Sequence, residues 1–495
     1  MVVTLHDLTG WNGPERLAPV SGLAIDHRKV TPGAIFGAFP GVKVNGEDFI
    51  EAAIEAGAVA IVARPEAKVD TSRAVHIVAA NPRQRFAEIA AKLYGPLPAT
   101  IAAVTGTNGK TSVADLLRQI WTRLNRPSAS LGTLGVITAI GKRDLGMTTP
   151  DVLTFLSTMS SMERAGINHV VFEASSHGLD QHRVDGVDVK AAAFTNLTRD
   201  HMDYHGTMEA YRDAKARLFS DLLSKDGTAV LWMDDPAADF MAEVAASRGI
   251  RILPVGTGAT AIAGLRMTER QALPDGQKLT VEYQGKPHEI RLPLLGGYQA
   301  ANALVAAGLA IACGEQAMRV FEALGAVKGV PGRLQKAATT PAGAPVFIDY
   351  AHTPDGLRAA IEALRPHCQG RLITVFGCGG DRDRGKRPQM GAIAASLSDL
   401  VYVTDDNPRS EDPKAIRAEI LSATPRAIEI GDRAEAIRAA LKAARAGDLV
   451  LVAGKGHEQG QIVQGVVHPF DDVEVAARIS QELNARDMAG QGQTA

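Results

Sequence analysis

The sequence predicts an α/β protein on mostly parallel sheets, divided into about three domains. Three observations predict it. Short apolar runs rich in Val, Ile and Ala alternate with amphipathic helical spacing along almost the whole chain. The length of 495 residues is more than one hydrophobic core supports. Two Gly/Pro breaks, Tyr94-Gly95-Pro96-Leu97-Pro98 and Gly329-Val330-Pro331-Gly332-Arg333, then set domain boundaries at 1–98, 99–332 and 333–495, because proline stops a continuing helix.

Composition narrows the function classes. Hydrophobic residues at 45% and charged residues at 22% exclude a disordered chain, a collagen and a coiled-coil rod. Lys plus Arg at 53 against Asp plus Glu at 55 gives no global field for nucleic acid or an anionic membrane. Anion binding must come from local clusters. Cys313, Cys368 and Cys378 are too few and too scattered for a disulfide framework or a four-ligand zinc site, which fits a reducing cytoplasm. The opening MVVTLHDLTGWNG carries no targeting pattern, and the longest apolar stretch, near Leu304 to Cys313, is far short of the ~20 residues of a membrane span.

In the middle segment, strands are expected at 101–105 (IAAVT), 169–173 (HVVFE) and 191–195 (AAAFT), each followed at once by polar, Gly-bearing sequence. Ligands of such sheets bind beyond the carboxyl ends of strands. The last segment repeats the pattern with FIDYAHTPDG, ITVFGCGGDRDRG, VYVTDDNPR and LVLVAGKGHEQ, so four polar loops are expected on one rim.

The first strand runs into Thr105-Gly106-Thr107-Asn108-Gly109-Lys110-Thr111-Ser112 and then a helix with Val113, Leu116, Leu117, Ile120, Trp121 and Leu124 at 3, 4 spacing. Strand, glycine turn and helix N-terminus form a phosphate loop. Its backbone N–H groups attract phosphate, Lys110 adds charge for the β- and γ-phosphates, and the Thr111 hydroxyl can reach Mg²⁺. Val104 stands where the strict G-x-x-x-x-G-K-[ST] pattern has glycine, so the loop is a variant.

Two residues leave alternatives open. Glu173 ends its strand beside the run Ala174-Ser175-Ser176-His177-Gly178-Leu179, and is either solvated or a Mg²⁺ ligand facing the loop. After Thr195-Asn196-Leu197-Thr198-Arg199-Asp200-His201, a helix carries Met208, Tyr211, Lys215, Leu218 and Leu222 on one stripe. Lys215 in that stripe either snorkels to water or is desolvated, with a pKa low enough to react with CO₂ and become an anionic metal ligand.

Together TGTNGKTS, MTTPD, EASSHGLDQHRV, TNLTRDHMDYHGTMEAYRDAK, GGYQAANALVA, GVPGRLQ, DYAHTPDGL, FGCGGDRDRGKRP, TDDNPR and GKGHE form an ordered set that closely resembles the Mur ligases, ATP-dependent amide-forming enzymes of peptidoglycan synthesis. The resemblance implies a small α/β N-terminal domain for a UDP-linked substrate, a central P-loop ATPase-like domain and a Rossmann-like C-terminal domain for the amino-acid acceptor. It also implies a cytoplasmic monomer, with the nucleotide clamped across a domain joint. ATP would contact Gly106, Thr107, Asn108, Gly109, Lys110, Thr111 and Ser112, with Asn302, Arg333 and Asp349 from the later motifs; Gln299 replaces an asparagine frequent among relatives. Two Mg²⁺ ions would involve Thr111, Glu173, His201 and Lys215 as a carbamate, which makes Lys110 and Lys215 the catalytic pair.

For a UDP-MurNAc-dipeptide the family pattern maps onto Ile25, His27, Thr148, Thr149, Ser175, Gln181 and Arg183, where a guanidinium and hydroxyls suit carboxylates. Asp26-His27-Arg28 departs from a frequent Asp-Ser-Arg, and Val42-Lys43 from a frequent His-Gln. Asp406-Asn407-Pro408-Arg409 matches the motif that marks meso-diaminopimelate as acceptor; a bidentate arginine repays its desolvation only when the distal carboxylate is present. Arg387, Gly454 and Glu458 would complete that pocket.

Other features carry less. FGCGGDRDRG fails the dinucleotide pattern at Arg382, Cys378 reads as a packing residue, and His177 and His457 are given no catalytic role. The rivals are an L-lysine-adding ligase of the same family, a folylpolyglutamate-type ligase, and a P-loop regulatory protein. DNPR opposes the first, and the uridine-nucleotide-like first domain opposes the second.

Overall fold

The structure, a computed structural model, describes residues 3–41, 44–273 and 275–491; the Val42-Lys43 position lies outside the described residues. The backbone forms two compact units, 1–266 with 304–320 and 267–303 with 321–495.

In the first unit, β1 (Gly22–Ala24), β2 (Ala34–Gly37), β3 (Ala60–Ala63) and β4 (Val75–Val78) pair in parallel in chain order. β2 and β3 are buried at every residue, as a strand covered on both faces must be. The helix Pro82–Tyr94 starts where the Asn81 side chain accepts the Gln84 N–H and proline occupies the first turn. It ends at Gly95, before Pro96.

A larger sheet follows, built from β5 (Thr100–Thr105), β6 (Ser128–Gly132), β7 (Gly135–Thr138), β8 (Gly141–Arg143), β9 (His169–Glu173), β10 (Val189–Phe194), β11 (Leu223–Trp232) and β12 (Arg251–Gly256). The order is β12-β11-β10-β5-β9-β6-β7-β8. All pairs from β12 to β6 are parallel, and β6-β7 and β7-β8 are antiparallel. β13 (Leu265–Leu273) adds Leu265 and Arg266 alongside β12. The three strands expected in the middle segment are therefore immediate neighbours, β10, β5 and β9, with their carboxyl ends at one edge. The helix Lys110–Arg123 buries Val113, Leu116, Leu117, Ile120 and Trp121. At about 1.5–3 kcal/mol for each large apolar side chain, that face holds the phosphate loop to the sheet.

The stripe expected over Met208 to Leu222 divides. An α-helix covers Met208–Arg217, and a single π turn, Leu218–Leu222, leads directly into β11. Both windings keep Leu218 and Leu222 buried, so apolar spacing could not separate them.

In the second unit, β14 (Gly276–Tyr283) and β15 (Lys286–Leu292) form an antiparallel hairpin. A six-stranded sheet comprises β16 (Gln335–Thr339), β17 (Pro345–Asp349), β18 (Leu372–Phe376), β19 (Leu400–Val403), β20 (Ile428–Glu429) and β21 (Leu449–Ala453), ordered β16-β17-β21-β18-β19-β20. Only the β16-β17 pair is antiparallel. The four polar loops read from the sequence leave the carboxyl ends of β17, β21, β18 and β19, four adjacent parallel strands. β22 (Gly460–Val463) and β23 (Val466–Pro469) form a separate hairpin. Arg433 and Asp472, both fully buried, make a two-bond fork, Nε to Oδ1 at 2.8 Å and Nη2 to Oδ2 at 2.7 Å, joining the helices Arg433–Ala443 and Asp472–Gln491. Among the described residues no helix is long and apolar enough to cross a membrane.

Candidate functional site

In the first unit, the site grows from the end of β5. Gly106 and Gly109 have φ of +145° and +89°, which glycine alone adopts freely, and a Cβ at Gly106 would stand 1.9 Å from Thr195 Oγ1. The loop fits against the segment after β10. Thr107 N–H donates to Asn196 O at 2.8 Å, Asn108 N–H to Asn196 Oδ1 at 2.8 Å, and Thr195 Oγ1 to Asn108 O at 2.6 Å. That cradle, Thr195 to Thr198, is a support the sequence reading did not assign.

Lys110 Nζ donates to the carbonyls of Gly106 and Thr107 at 2.8 and 2.9 Å. Lys215 Nζ donates to the same Gly106 carbonyl at 2.9 Å and lies 4.3 Å from the centre of the Tyr211 ring. Lys215 is 1% exposed, so its amine does not snorkel to water. Burial first, and then the charge of Lys110, push its pKa well below the usual lysine value. A buried amine inclined to be neutral is a nucleophile for CO₂.

Glu173 is 2% exposed and has no ion pair among the described residues. Its Oε2 accepts the hydroxyls of Thr111 at 3.0 Å and Thr133 at 3.1 Å, and Oε1 accepts the Thr133 N–H at 2.8 Å. Gly132 is required there, since a Cβ would come 2.1 Å from Glu173 Oε1. A buried carboxylate and a hydroxyl, both hard oxygen donors, fit Mg²⁺, which takes one or two protein carboxylates and completes its shell with water and phosphate. Accordingly, no group of three or more His, Cys, Asp or Glu side chains converges as a metal cage among the described residues. His201 is not joined to this pair by any described hydrogen bond. It is exposed at φ +54°, 3.5 Å from Asp200, with its ring 4.9 Å from that of His177.

The dipeptide candidates are contiguous. Thr148 Oγ1 lies 3.0 Å from Thr133 Oγ1; Thr149 Oγ1 donates to Glu173 O at 3.1 Å and accepts Ser175 Oγ at 2.9 Å. Arg183 donates through Nε and Nη2 to Gln181 Oε1 at 3.0 and 2.6 Å, and through Nη1 to Thr149 O at 3.0 Å. Gln181 Nε2 donates to the Tyr204 hydroxyl at 2.9 Å, which donates to Asp180 at 2.6 Å. Thr133, Tyr204 and Asp180 are members the sequence reading missed. In the N-terminal segment, His27 stacks on Phe49 with centroids 4.3 Å apart and planes 5° from parallel, beside a half-exposed Ile25. Asp26 is fixed by a fork from Arg28, which holds its pKa down at about 2.

In the second unit, Asp349 at the end of β17 accepts the N–H groups of Leu334 and Ala351 at 2.7 and 2.9 Å, and burial raises its pKa. Arg333 lies over the Tyr350 ring at 4.8 Å, and Gln299 Nε2 donates to Arg333 O at 3.1 Å. Asn302 stands one turn beyond Tyr298 on the helix Gly297–Ala312 and is 7% exposed.

The acceptor candidates gather after β19 and β21. Asn407 donates through Nδ2 to Glu458 Oε2 at 2.9 Å and accepts, through Oδ1, Lys455 Nζ at 3.1 Å and Ile462 N–H at 2.9 Å. Lys455, fully buried, also reaches Glu458 at 3.2 Å and was not singled out from sequence. Gly454, at φ +120°, is needed because a Cβ would lie 2.4 Å from Asp406 Oδ2. Asp406 is buried, which raises its pKa against the pull of Arg433 and Lys455. Pro408 is buried and Arg409 partly exposed.

Arg387 requires a correction. Its side chain is fully buried, with Nη1 on Glu411 and Glu419 at 3.0 and 2.9 Å and Nη2 on Glu411 at 2.8 Å. Two carboxylates already use its terminal donors, so it braces the loop rather than facing a ligand. Arg382 of the same loop is exposed, with Nη1 3.4 Å from the Asp381 carbonyl.

Comparison with known proteins gives one consistent result. Family models described as the Mur ligase family catalytic domain, the Mur ligase middle domain and the Mur ligase glutamate ligase domain match residues 19–98, 104–310 and 332–456. The chain is 59% identical over 471 residues to a UDP-N-acetylmuramoyl-L-alanyl-D-glutamate--2,6-diaminopimelate ligase of Zymomonas mobilis, covering 94% of this chain and 96% of the relative. A protein of the same name from Caulobacter vibrioides is 52% identical, with 96% and 98% covered. A solved structure with that name superposes with a TM-score of 0.76 at 34% identity, over 98% of this chain and 100% of the other.

Proposed function

The chain belongs to the Mur ligase family, and we propose that it joins an amine of meso-2,6-diaminopimelate to the γ-carboxylate of the D-glutamyl residue in UDP-MurNAc-L-Ala-D-Glu, converting ATP to ADP and phosphate. The observation that carries the reading is the 59% identity along 94% of the chain to a relative named for that acid and that amino acid. The same match disfavours the regulatory-protein rival.

The chemistry has two steps. A D-glutamyl carboxylate oxygen attacks the γ-phosphorus, ADP leaves, and an acyl phosphate forms. The acceptor amine then adds to the acyl carbon, loses a proton, and expels phosphate from the tetrahedral intermediate, leaving the amide. The protein positions the reactants and neutralises charge. The phosphate-loop amides of Gly106 to Ser112 and the Lys110 ammonium hold the triphosphate and offset charge on the migrating phosphoryl group. Magnesium, when bound, would screen the phosphoryl oxygens; Glu173, Thr111 and His201 would hold one ion, and Lys215 as its carbamate a second.

Thr148, Thr149, Ser175, Gln181 and Arg183 are assigned to the muramoyl dipeptide, and His27 and Ile25 to the uridine end. Asn302, Arg333 and Asp349 are assigned to ATP. Asp406, Asn407, Pro408, Arg409, Gly454 and Glu458 are assigned to the acceptor, with Arg382 in place of Arg387 as the guanidinium that its loop offers. For Thr149, Asp349, Asp406 and Asn407 the support is burial and hydrogen bonding around the carboxyl ends of adjacent parallel strands, where such sheets bind ligands. On this reading the enzyme works as a monomer in the cytoplasm.

Phosphate release should require UDP-MurNAc-L-Ala-D-Glu, ATP and an amino acid together, and meso-diaminopimelate should give the product of matching mass. L-lysine should be used at least about 10³-fold less efficiently, because a site built around a charged pair strongly rejects the analogue that lacks one partner. Preference for L-lysine would overturn the acceptor assignment.

A further inference from the structure

Within the second unit, the loop after β18 and the segment after β19 are stapled to each other by side chains that the function above does not use. Ser410 Oγ donates to Asp381 Oδ1 at 2.6 Å, and Ser410 N–H to Asp381 Oδ2 at 3.2 Å. Glu411 Oε1 accepts the Asp381 N–H at 2.6 Å and Arg387 Nη2 at 2.8 Å, while Oε2 accepts Arg387 Nη1 at 3.0 Å. Those bonds hold the Glu411 carboxyl at a pKa of about 2 and lower that of Asp381, so both stay ionised at neutral pH.

Arg409 sits inside this staple. Its Nη1 donates to the Gly380 carbonyl at 2.8 Å, and the Gly380 N–H donates to Asn407 O at 2.9 Å. Contact is close enough that a Cβ on Gly380 would lie 1.9 Å from Pro408 O, and one on Gly379 would lie 2.7 Å from Arg409 Nη1. The Arg409 backbone has φ of +53°, a conformation that arginine seldom adopts and that persists only where the surroundings impose it. On its other side, Arg409 N–H donates to Ile462 O at 3.0 Å and its carbonyl accepts Gln464 N–H at 2.7 Å. Both the backbone and one end of the guanidinium are therefore fixed before any ligand arrives.

We propose that Asp381, acting through Ser410, is a positioning residue that holds the Arg409 guanidinium for the distal carboxylate of the acceptor; this deepens, and rests on, the diaminopimelate reading above. A flexible arginine loses rotamer freedom when it captures a carboxylate, and a held one has already lost it. Selectivity for a two-headed amino acid then depends on residues that never touch it.

The test is steady-state kinetics of Asp381→Ala, Ser410→Ala and Ser410→Thr in the full-length enzyme, with each substrate varied in turn. Asp381→Ala should raise KM for meso-diaminopimelate about tenfold while KM for ATP and the muramoyl substrate stay within about twofold, the pattern of lost ground-state binding at one subsite. Efficiency with L-lysine should not move, so discrimination should fall by the same factor of about ten. Ser410→Ala should raise the diaminopimelate KM about threefold, and Ser410→Thr, which keeps the hydroxyl, should restore it. An unmoved diaminopimelate KM in Asp381→Ala, or a rise of all three KM values together, overturns the proposal. Should Asp381→Ala lack a thermal unfolding transition, the contrast between Ser410→Ala and Ser410→Thr decides by the same criterion. A wild-type enzyme that does not use diaminopimelate overturns the acceptor reading and this inference with it. A wild type that does, with unmoved variants, overturns this inference alone.

Discussion

Lys215→Ala is expected to lower kcat by about 10³-fold or more, the scale on which removal of one preorganised charge-stabilising group acts. Alanine deletes the amine that CO₂ would modify. In that modification the neutral amine attacks CO₂, a proton leaves, and a cation becomes an anionic carbamate with two oxygens. Three observations favour the chemistry at this residue: 1% exposure, a pKa pushed down by burial and by Lys110, and a single carbonyl partner, Gly106 O at 2.9 Å, for Nζ among the described contacts of that atom besides the Tyr211 ring. Without carbamylation, two ammonium groups converge on one carbonyl, which repels a further cation. With it, the local charge changes by about two and favours Mg²⁺ and a phosphoryl group. Short carboxylic acids should restore part of the activity of Lys215→Ala by supplying the missing carboxylate, and ¹³CO₂ should give a carbamate carbon resonance in the wild type that the variant lacks. Full activity of the alanine variant without additives would defeat the carbamate assignment.

On the acceptor assignment proposed above, Arg409→Ala should lower kcat/KM for meso-diaminopimelate by about 10²-fold or more, since the distal carboxylate would lose its charged partner. L-lysine has no distal carboxylate to strand, so its efficiency should change little. Arg409→Lys should not rescue diaminopimelate, because an ammonium on a flexible stem cannot reproduce a planar fork held at Gly380. Parallel measurement of the two acceptors in each variant checks this, and equal losses for both would contradict it.

How much of this was legible in the sequence depends on how local the signal is. The phosphate loop is written in consecutive residues, and strand, glycines and apolar helix face all agree, so the loop and the helix Lys110–Arg123 follow from spacing alone. Lys215 was legible as a misfit, a cation on an apolar stripe. Thr133 was not legible, because its partner Glu173 lies 40 positions away and the two meet only through the parallel pairing of β6 with β9. The fate of Arg387 was hidden for the same reason: GKRP looks alike whether the guanidinium faces a ligand or Glu411 and Glu419, 24 and 32 positions on. The cradle from Thr195 to Thr198 depends on β10 lying beside β5, which the strand sequences do not encode individually.

In the proposed reaction the D-glutamyl carboxylate is phosphorylated before the amine attacks. The most direct measurement uses UDP-MurNAc-L-Ala-D-Glu labelled with ¹⁸O in the γ-carboxylate, with ATP and meso-diaminopimelate, and mass analysis of the released phosphate. One ¹⁸O per phosphate, at a stoichiometry of one amide formed, is the predicted result. Phosphate that emerges without label would rule out an acyl phosphate.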